Sequence, residues 1–167
     1  IGIGSIIGIF FTKFSNFFTM NLAGVITIIG IFLYSINISK SPDELDYIFY
    51  MVGIGFGLYI VPIHNLGLDK IPEAIRGISS SMISFSRMTG MIFGLSIMTA
   101  FGTSRFSELV SGIQIFTSNP KEQIELINNI NTAGIEVFQE LIYGALIFSA
   151  IALILGIILQ VNYLIKK

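Results

Sequence analysis

Apolar residues run along this chain in five blocks, separated by polar breaks. The first block, 1–11, carries Gly2, Gly4 and Gly8 and is too short to cross a bilayer; it reads as the tail of a longer helix. The break Thr12-Lys13-Phe14-Ser15-Asn16 follows. The next blocks span 20–38, 47–64, 78–101 and 141–164. Each is near the ~20 residues that a helix needs to cross the hydrocarbon core. The pattern therefore predicts an all-α integral membrane bundle, with four full transmembrane helices and a partial one at the start. The whole of 1–167 is expected to form a single bundle.

The breaks carry start signals. In the turn 39–46 (SKSPDELD), Pro42 suits a first helical position, and Asp43, Glu44 and Asp46 suit the positive end of the helix that follows. The segment 47–64 holds Gly53, Gly55 and Gly57, with Pro62 near its end. These residues would weaken a water-exposed helix, but are tolerated in lipid, where small residues let helices approach closely. A polar turn over 65–77 precedes the fourth block. The stretch 102–140 is expected to be a long extracytoplasmic loop. In it, Asn119-Pro120-Lys121-Glu122 reads as an N-cap, a Pro at the first helical position and a capping-box Glu. Ile124, Ile127 and Ile130 then recur beside Asn128, Asn129 and Asn131, which fits either a short amphipathic helix or a plain surface loop.

Composition strengthens the membrane reading. Hydrophobic residues make up 53% of the chain and charged residues 11%, and mean hydropathy is +0.85. A water-soluble surface ordinarily draws on about a quarter of charged residues. No basic cluster suggests nucleic acid, and the absence of Cys removes disulfides and thiolate metal sites. The chain opens on Ile within an apolar run, without a basic segment before it, and reads as the C-terminal piece of something longer. With four spans, Lys13, Lys70, Arg76, Lys166 and Lys167 share one side, against Lys40, Arg105 and Lys121 on the other. The positive-inside rule then puts the first side, with the C-terminus, in the cytoplasm. The expected location is the plasma membrane, crossed several times.

One charge interrupts the fourth block. Arg87 lies about nine residues past its start, roughly 13 Å deep at ~1.5 Å per residue. A buried arginine costs ~2.5–3.5 kcal/mol on insertion scales and ordinarily faces protein or a water-filled cavity. On a helical projection Ser80, Ser84, Arg87, Met91 and Met98 share one face, with Ser86, Gly90 and Gly94 beside it. Arg87, Ser84, Ser80 and Met91, with Asn21 and more weakly Thr27 from the first full span, are the candidates for a translocation pathway. The alternative for Arg87 is a structural tie to backbone carbonyls. The pairs Gly53/Gly57 and Gly90/Gly94 have the spacing of helix-packing motifs. His64, the only histidine, reads first as a solvated or capping residue and second as a proton carrier. The motifs of hydrolases, zinc enzymes and intramembrane aspartyl pairs are missing, so the chain reads as no enzyme, with no metal and no cofactor.

These residues together resemble the major facilitator superfamily, in particular its fourteen-span drug:proton antiporters. The likeness rests on the glycine-rich span Gly53–Gly57, Pro62, Ile71-Pro72, Arg76-Gly77, Ser79-Ser80-Ser81, Arg87, Gly90 and Gly94. Gly8 and Lys13 match a worn form of the family's cytoplasmic loop signature, from which Thr12, Ser15 and Asn16 depart. The resemblance implies cytoplasmic-loop roles for Lys13, Pro72, Arg76 and Gly77. It also implies proton-coupled export of small amphipathic or drug-like molecules by alternating access, in partnership with an N-terminal part of the same transporter, the lipid bilayer and protons. The competing reading is a non-transporting membrane subunit that assembles or anchors other proteins.

Overall fold

The structure is a computed structural model describing residues 1–38, 42–111 and 120–165. Among these the chain forms five α-helices: α1 (Gly2–Thr12), α2 (Asn16–Asn37), α3 (Pro42–Leu68), α4 (Arg76–Val110) and α5 (Pro120–Ile165). A single 3-10 turn, Glu73–Ile75, leads into α4.

Local chemistry explains the breaks. Ser15 is extended, and its hydroxyl accepts from Phe18 N at 3.3 Å, which caps α2. Pro42 and Pro120 are the first residues of α3 and α5, where a missing N–H costs nothing. Pro62 sits inside α3, which continues through it to Leu68, four residues beyond the expected end at 64.

α3 packs against both α1 and α2, and its glycines set the distance. A methyl group on Gly57 would collide with Ile1 O and come within 2.8 Å of Gly4 Cα. One on Gly55 would collide with Thr27 of α2, and one on Gly30 of α2 would come within 2.6 Å of Val52 Cγ2. The backbones therefore meet almost directly, and Ser5 Oγ donates across the crossing to Gly57 O at 3.3 Å. Ile48, Leu58, Thr19 and Pro62 are the largest fully buried side chains. α5 packs on α2, where its Leu153, together with Tyr59 of α3, closes on Gly24.

α4 is peripheral. It touches α3 near its start, where Ile83 meets Gly67, and α5 further along, where Met98 faces Gly144 and Gly102 meets Leu141 and Val137. Its middle stands away from the described residues, and of the whole helix only Gly102 is buried.

Two expectations change here, one is met only in part, and one falls outside the described residues. First, three helical stretches, Asn16–Asn37, Leu45–Leu68 and Glu122–Ile165, are long and apolar enough to cross a membrane, where the pattern predicts four. α4 is long enough, but its serines, threonines, glycines and Arg87 dilute its apolar run. Second, the stretch 102–140 is helical over 102–110 and 120–140, and Ile124, Ile127 and Ile130 belong to the same helix as the last span. The helix that starts at Pro120 runs on through the Asn-rich segment, although Asn is a weak helix former, so no separate surface helix forms. At ~1.5 Å per residue α5 is about 69 Å long, roughly twice the hydrocarbon thickness. Third, Arg76 and Gly77 open α4 rather than lie in a loop. Fourth, Asn119, Lys40, Lys166 and Lys167, which bear on the expected cap and the charge balance, lie outside the described residues.

Candidate functional site

A groove of about 890 Å³ opens where four helices meet. α2 contributes Gly24 and Thr27, α3 contributes Tyr59 and His64, α4 contributes Ser84 and Arg87, and α5 contributes Ser149. Phe56, Ile60, Ile63, Met82 and Ile83 make most of the remaining wall apolar. Gly24 and Thr27 add little bulk to the α2 wall, and α4 closes on α3 beside the groove, where Ile83 packs on Gly67.

The polar groups differ in what they offer. Thr27 Oγ1 donates to Ala23 O at 2.9 Å, and Ser149 Oγ donates to Ala145 O at 2.8 Å. Both hydroxyl protons are thus committed to their own helices. His64 Nε2 lies 3.3 Å from Ser80 Oγ, a hydrogen bond that ties α3 to α4 at one end of the groove; its donor depends on the ring tautomer. Arg87 is exposed along the groove edge and makes no hydrogen bond or ion pair with any described residue. It brings five N–H donors to a mainly apolar surface.

The sequence-predicted residues separate. Arg87 and Ser84 line the groove together. Ser80 is held by His64. Met91 shares the helical stripe of Arg87, yet is exposed and lines no part of the groove, because α4 has already left its neighbours there. A methyl group added at Gly90 or Gly94 would meet nothing within 4 Å, so no described helix packs against them. Asn21 points elsewhere, to the α2–α5 seam, where its Nδ2 donates to Gln160 Oε1 and its Oδ1 is buried without a partner among the described residues. Gln160 is not among the sequence candidates, although a lone amide in the apolar run 150–161 is a usable signal. Tyr59 and Ser149 are also absent from them, since neither stands out from its neighbours by type or spacing. Among the loop candidates, Lys13 lies 5.4 Å from the Phe10 ring centroid, Pro72 precedes the 3-10 turn, and Gly77 faces open space.

A second polar cluster binds the C-terminal end of α4 to the middle of α5. Arg105 Nη1 donates to Glu108 Oε2 at 2.8 Å, its Nε donates to Glu140 Oε1 at 3.1 Å, and Nη2 stands 3.8 Å from Glu136 Oε1. The hydrogen bond to Glu108, then that to Glu140, raises the Arg105 pKa above its ordinary value. That contribution would be lost only at very alkaline pH, as pH rises through the raised pKa, so the guanidinium clamps α4 to α5 across the neutral range. No group of three or more metal-binding side chains occurs among the described residues.

Known proteins narrow the class. No protein-family profile matches the chain, and no solved structure matches it. The triacylglyceride transporter of Mycobacterium tuberculosis is 30% identical over 110 residues, which cover 65% of this chain and 21% of that protein. Triacylglyceride transporters of Mycolicibacterium smegmatis and Mycobacteroides abscessus are each 38% identical, over 64 and 63 residues, covering 38% of this chain and 11% and 12% of their own lengths. The chain thus matches about a fifth or less of the length of these relatives. These relatives are named as transporters, and three helical stretches of this chain are long and apolar enough to cross a membrane.

Proposed function

We propose that this chain is the C-terminal part of a secondary active transporter of the major facilitator type, which moves lipid-like or amphipathic molecules by alternating access. In this reading α4 is the fourth full span and 1–167 is one bundle, whose side with Lys13 and Lys70 faces the cytoplasm. The groove is its share of the substrate path, with Arg87 and Ser84 in contact with cargo. The observation that carries the proposal is Arg87, without a partner among the described residues, on the edge of an otherwise mostly apolar groove. Long acyl chains match the walls, and ester carbonyls supply acceptors for the guanidinium. Triacylglyceride, the substrate for which the relatives are named, has both features. A drug-like amphipathic molecule with a carbonyl is a variation on the same chemistry. Proton coupling follows from the resemblance, and its carboxylates would lie in the part of the transporter beyond this chain. That part would also cover the open Gly90/Gly94 face of α4.

The test is transport by the full-length protein in vesicles, with a fluorescent triacylglyceride and a cationic dye as cargoes and an imposed pH gradient as driving force. Arg87→Ala should lower triacylglyceride transport by about tenfold or more, equivalent to ~1.4 kcal/mol or more, at unchanged membrane abundance. Unaltered transport by that variant would remove Arg87 from the path. Transport indifferent to the pH gradient would remove proton coupling.

A further inference from the structure

A smaller cavity, about 540 Å³, lies at the end of the bundle where α2 begins and α3 and α5 end. Phe17, Met20 and Leu66 form part of its apolar floor, and Asp69, Lys70 and Tyr163 stand among its lining. In the membrane reading proposed above, this end of the bundle, where the spans α2, α3 and α5 begin or end, lies where the bilayer passes into water, a depth suited to lipid headgroups.

The charges at its rim are arranged in an unusual way. Asp69 and Lys70 are consecutive and exposed, and no ion pair or hydrogen bond joins Asp69 to any described residue. Lys70 is held instead over Tyr163, with Nζ 5.7 Å from the ring centroid, and that ring packs on Phe17 at 5.0 Å. Its ammonium is thereby placed above the cavity and apart from the neighbouring carboxylate. Asp69 follows directly on the C-terminus of α3, where carbonyl oxygens gather partial negative charge, and no basic side chain occupies the last turn. Among the described residues the rim therefore has one locus for an anion, at Lys70, and one for a cation, at Asp69 and the α3 terminus.

We propose that this cavity binds a glycerophospholipid whose headgroup carries both a phosphate and a primary ammonium, as in phosphatidylethanolamine. The phosphate meets Lys70, the ammonium donates to Asp69, and an acyl chain enters over Phe17, Met20 and Leu66. A headgroup with phosphate alone leaves Asp69 facing like charge. A choline headgroup carries the charge but has no N–H to donate. The proposal rests on the membrane reading but not on the cargo or on Arg87.

The experiment uses full-length protein in detergent, titrated with dioctanoyl phosphatidylethanolamine, phosphatidylglycerol and phosphatidylcholine, with the thermal unfolding midpoint as readout. Phosphatidylethanolamine should half-saturate its stabilising shift at a concentration about tenfold lower than either other lipid, the scale of one charge-assisted hydrogen bond. Glycerophosphoethanolamine, the same headgroup without chains, should give no shift over that range. Asp69→Asn should erase the preference over phosphatidylglycerol, and Asp69→Glu should keep it; both change an exposed side chain and leave the core intact. Lys70→Gln should weaken binding of all three lipids. Equal affinity for phosphatidylglycerol and phosphatidylethanolamine, or a preference that survives Asp69→Asn, would overturn the proposal. A lipid preference that persists while Arg87→Ala leaves transport intact would instead count against the groove and spare this site.

Discussion

At the scale of single residues, two polar side chains decide most. Arg87 is costly to place in lipid, and among the described residues it has no acceptor, so its role depends on what enters the groove or covers α4. Asn21 shows the opposite case, forming with Gln160 an amide pair across the α2–α5 seam. Removing one partner strands the other, whereas removing both leaves an apolar seam. Asn21→Leu and Gln160→Leu should each destabilise by about 1 kcal/mol, and the double variant by less than either alone. Unfolding of full-length protein in mixed micelles measures all three, and simple additivity would dissolve the pair. Asn21 stands out in the sequence as an uncommon polar residue in a span; that it serves packing rather than the groove depends on which face of α2 meets α5.

At the scale of elements, α3 and α4 carry glycines at the same spacing with different consequences. Gly57 is pressed against Ile1, Gly4 and Ser5, whereas Gly90 and Gly94 face open space. Gly57→Val should therefore lower stability by roughly 1–3 kcal/mol through overpacking. Gly90→Ala, judged from these contacts alone, should be neutral or stabilising by up to about 1 kcal/mol through helix propensity. Thermal unfolding reads both. A Gly90→Ala variant that is destabilised, or that loses transport with its fold intact, would show a helix from beyond this chain seated on that face. Spacing alone could identify both pairs but could not rank them, since spacing describes one helix and packing needs two.

At the scale of the whole molecule, α5 is the element that reaches furthest. It is about 69 Å long, while a hydrocarbon core takes ~20 helical residues. In the proposed membrane reading the apolar stretch near 141–164 would fill that layer, leaving the Asn- and Glu-bearing half from Pro120, braced to α4 by Arg105, beyond it. Since the sequence has no Cys, single cysteines make a clean ruler. Asn131→Cys should react with a membrane-impermeant maleimide in whole cells, and Ile154→Cys should react only with a lipid-soluble reagent. Labelling of Asn131→Cys solely in inside-out vesicles would reverse the proposed orientation.

Hydrophobic runs, polar breaks and start signals at Pro42 and Pro120 determined by themselves that the chain is helical and suited to lipid, because these properties depend on neighbours along the chain. Arg87 stood out for the same reason, as a charge where its surroundings along the sequence are apolar. Which residues share the groove, the pairing of Asn21 with Gln160 and the placing of Lys70 over Tyr163 apart from Asp69 were decided only by tertiary structure. Each depends on how far one helix lies from another, and that distance is set by contacts between residues many positions apart.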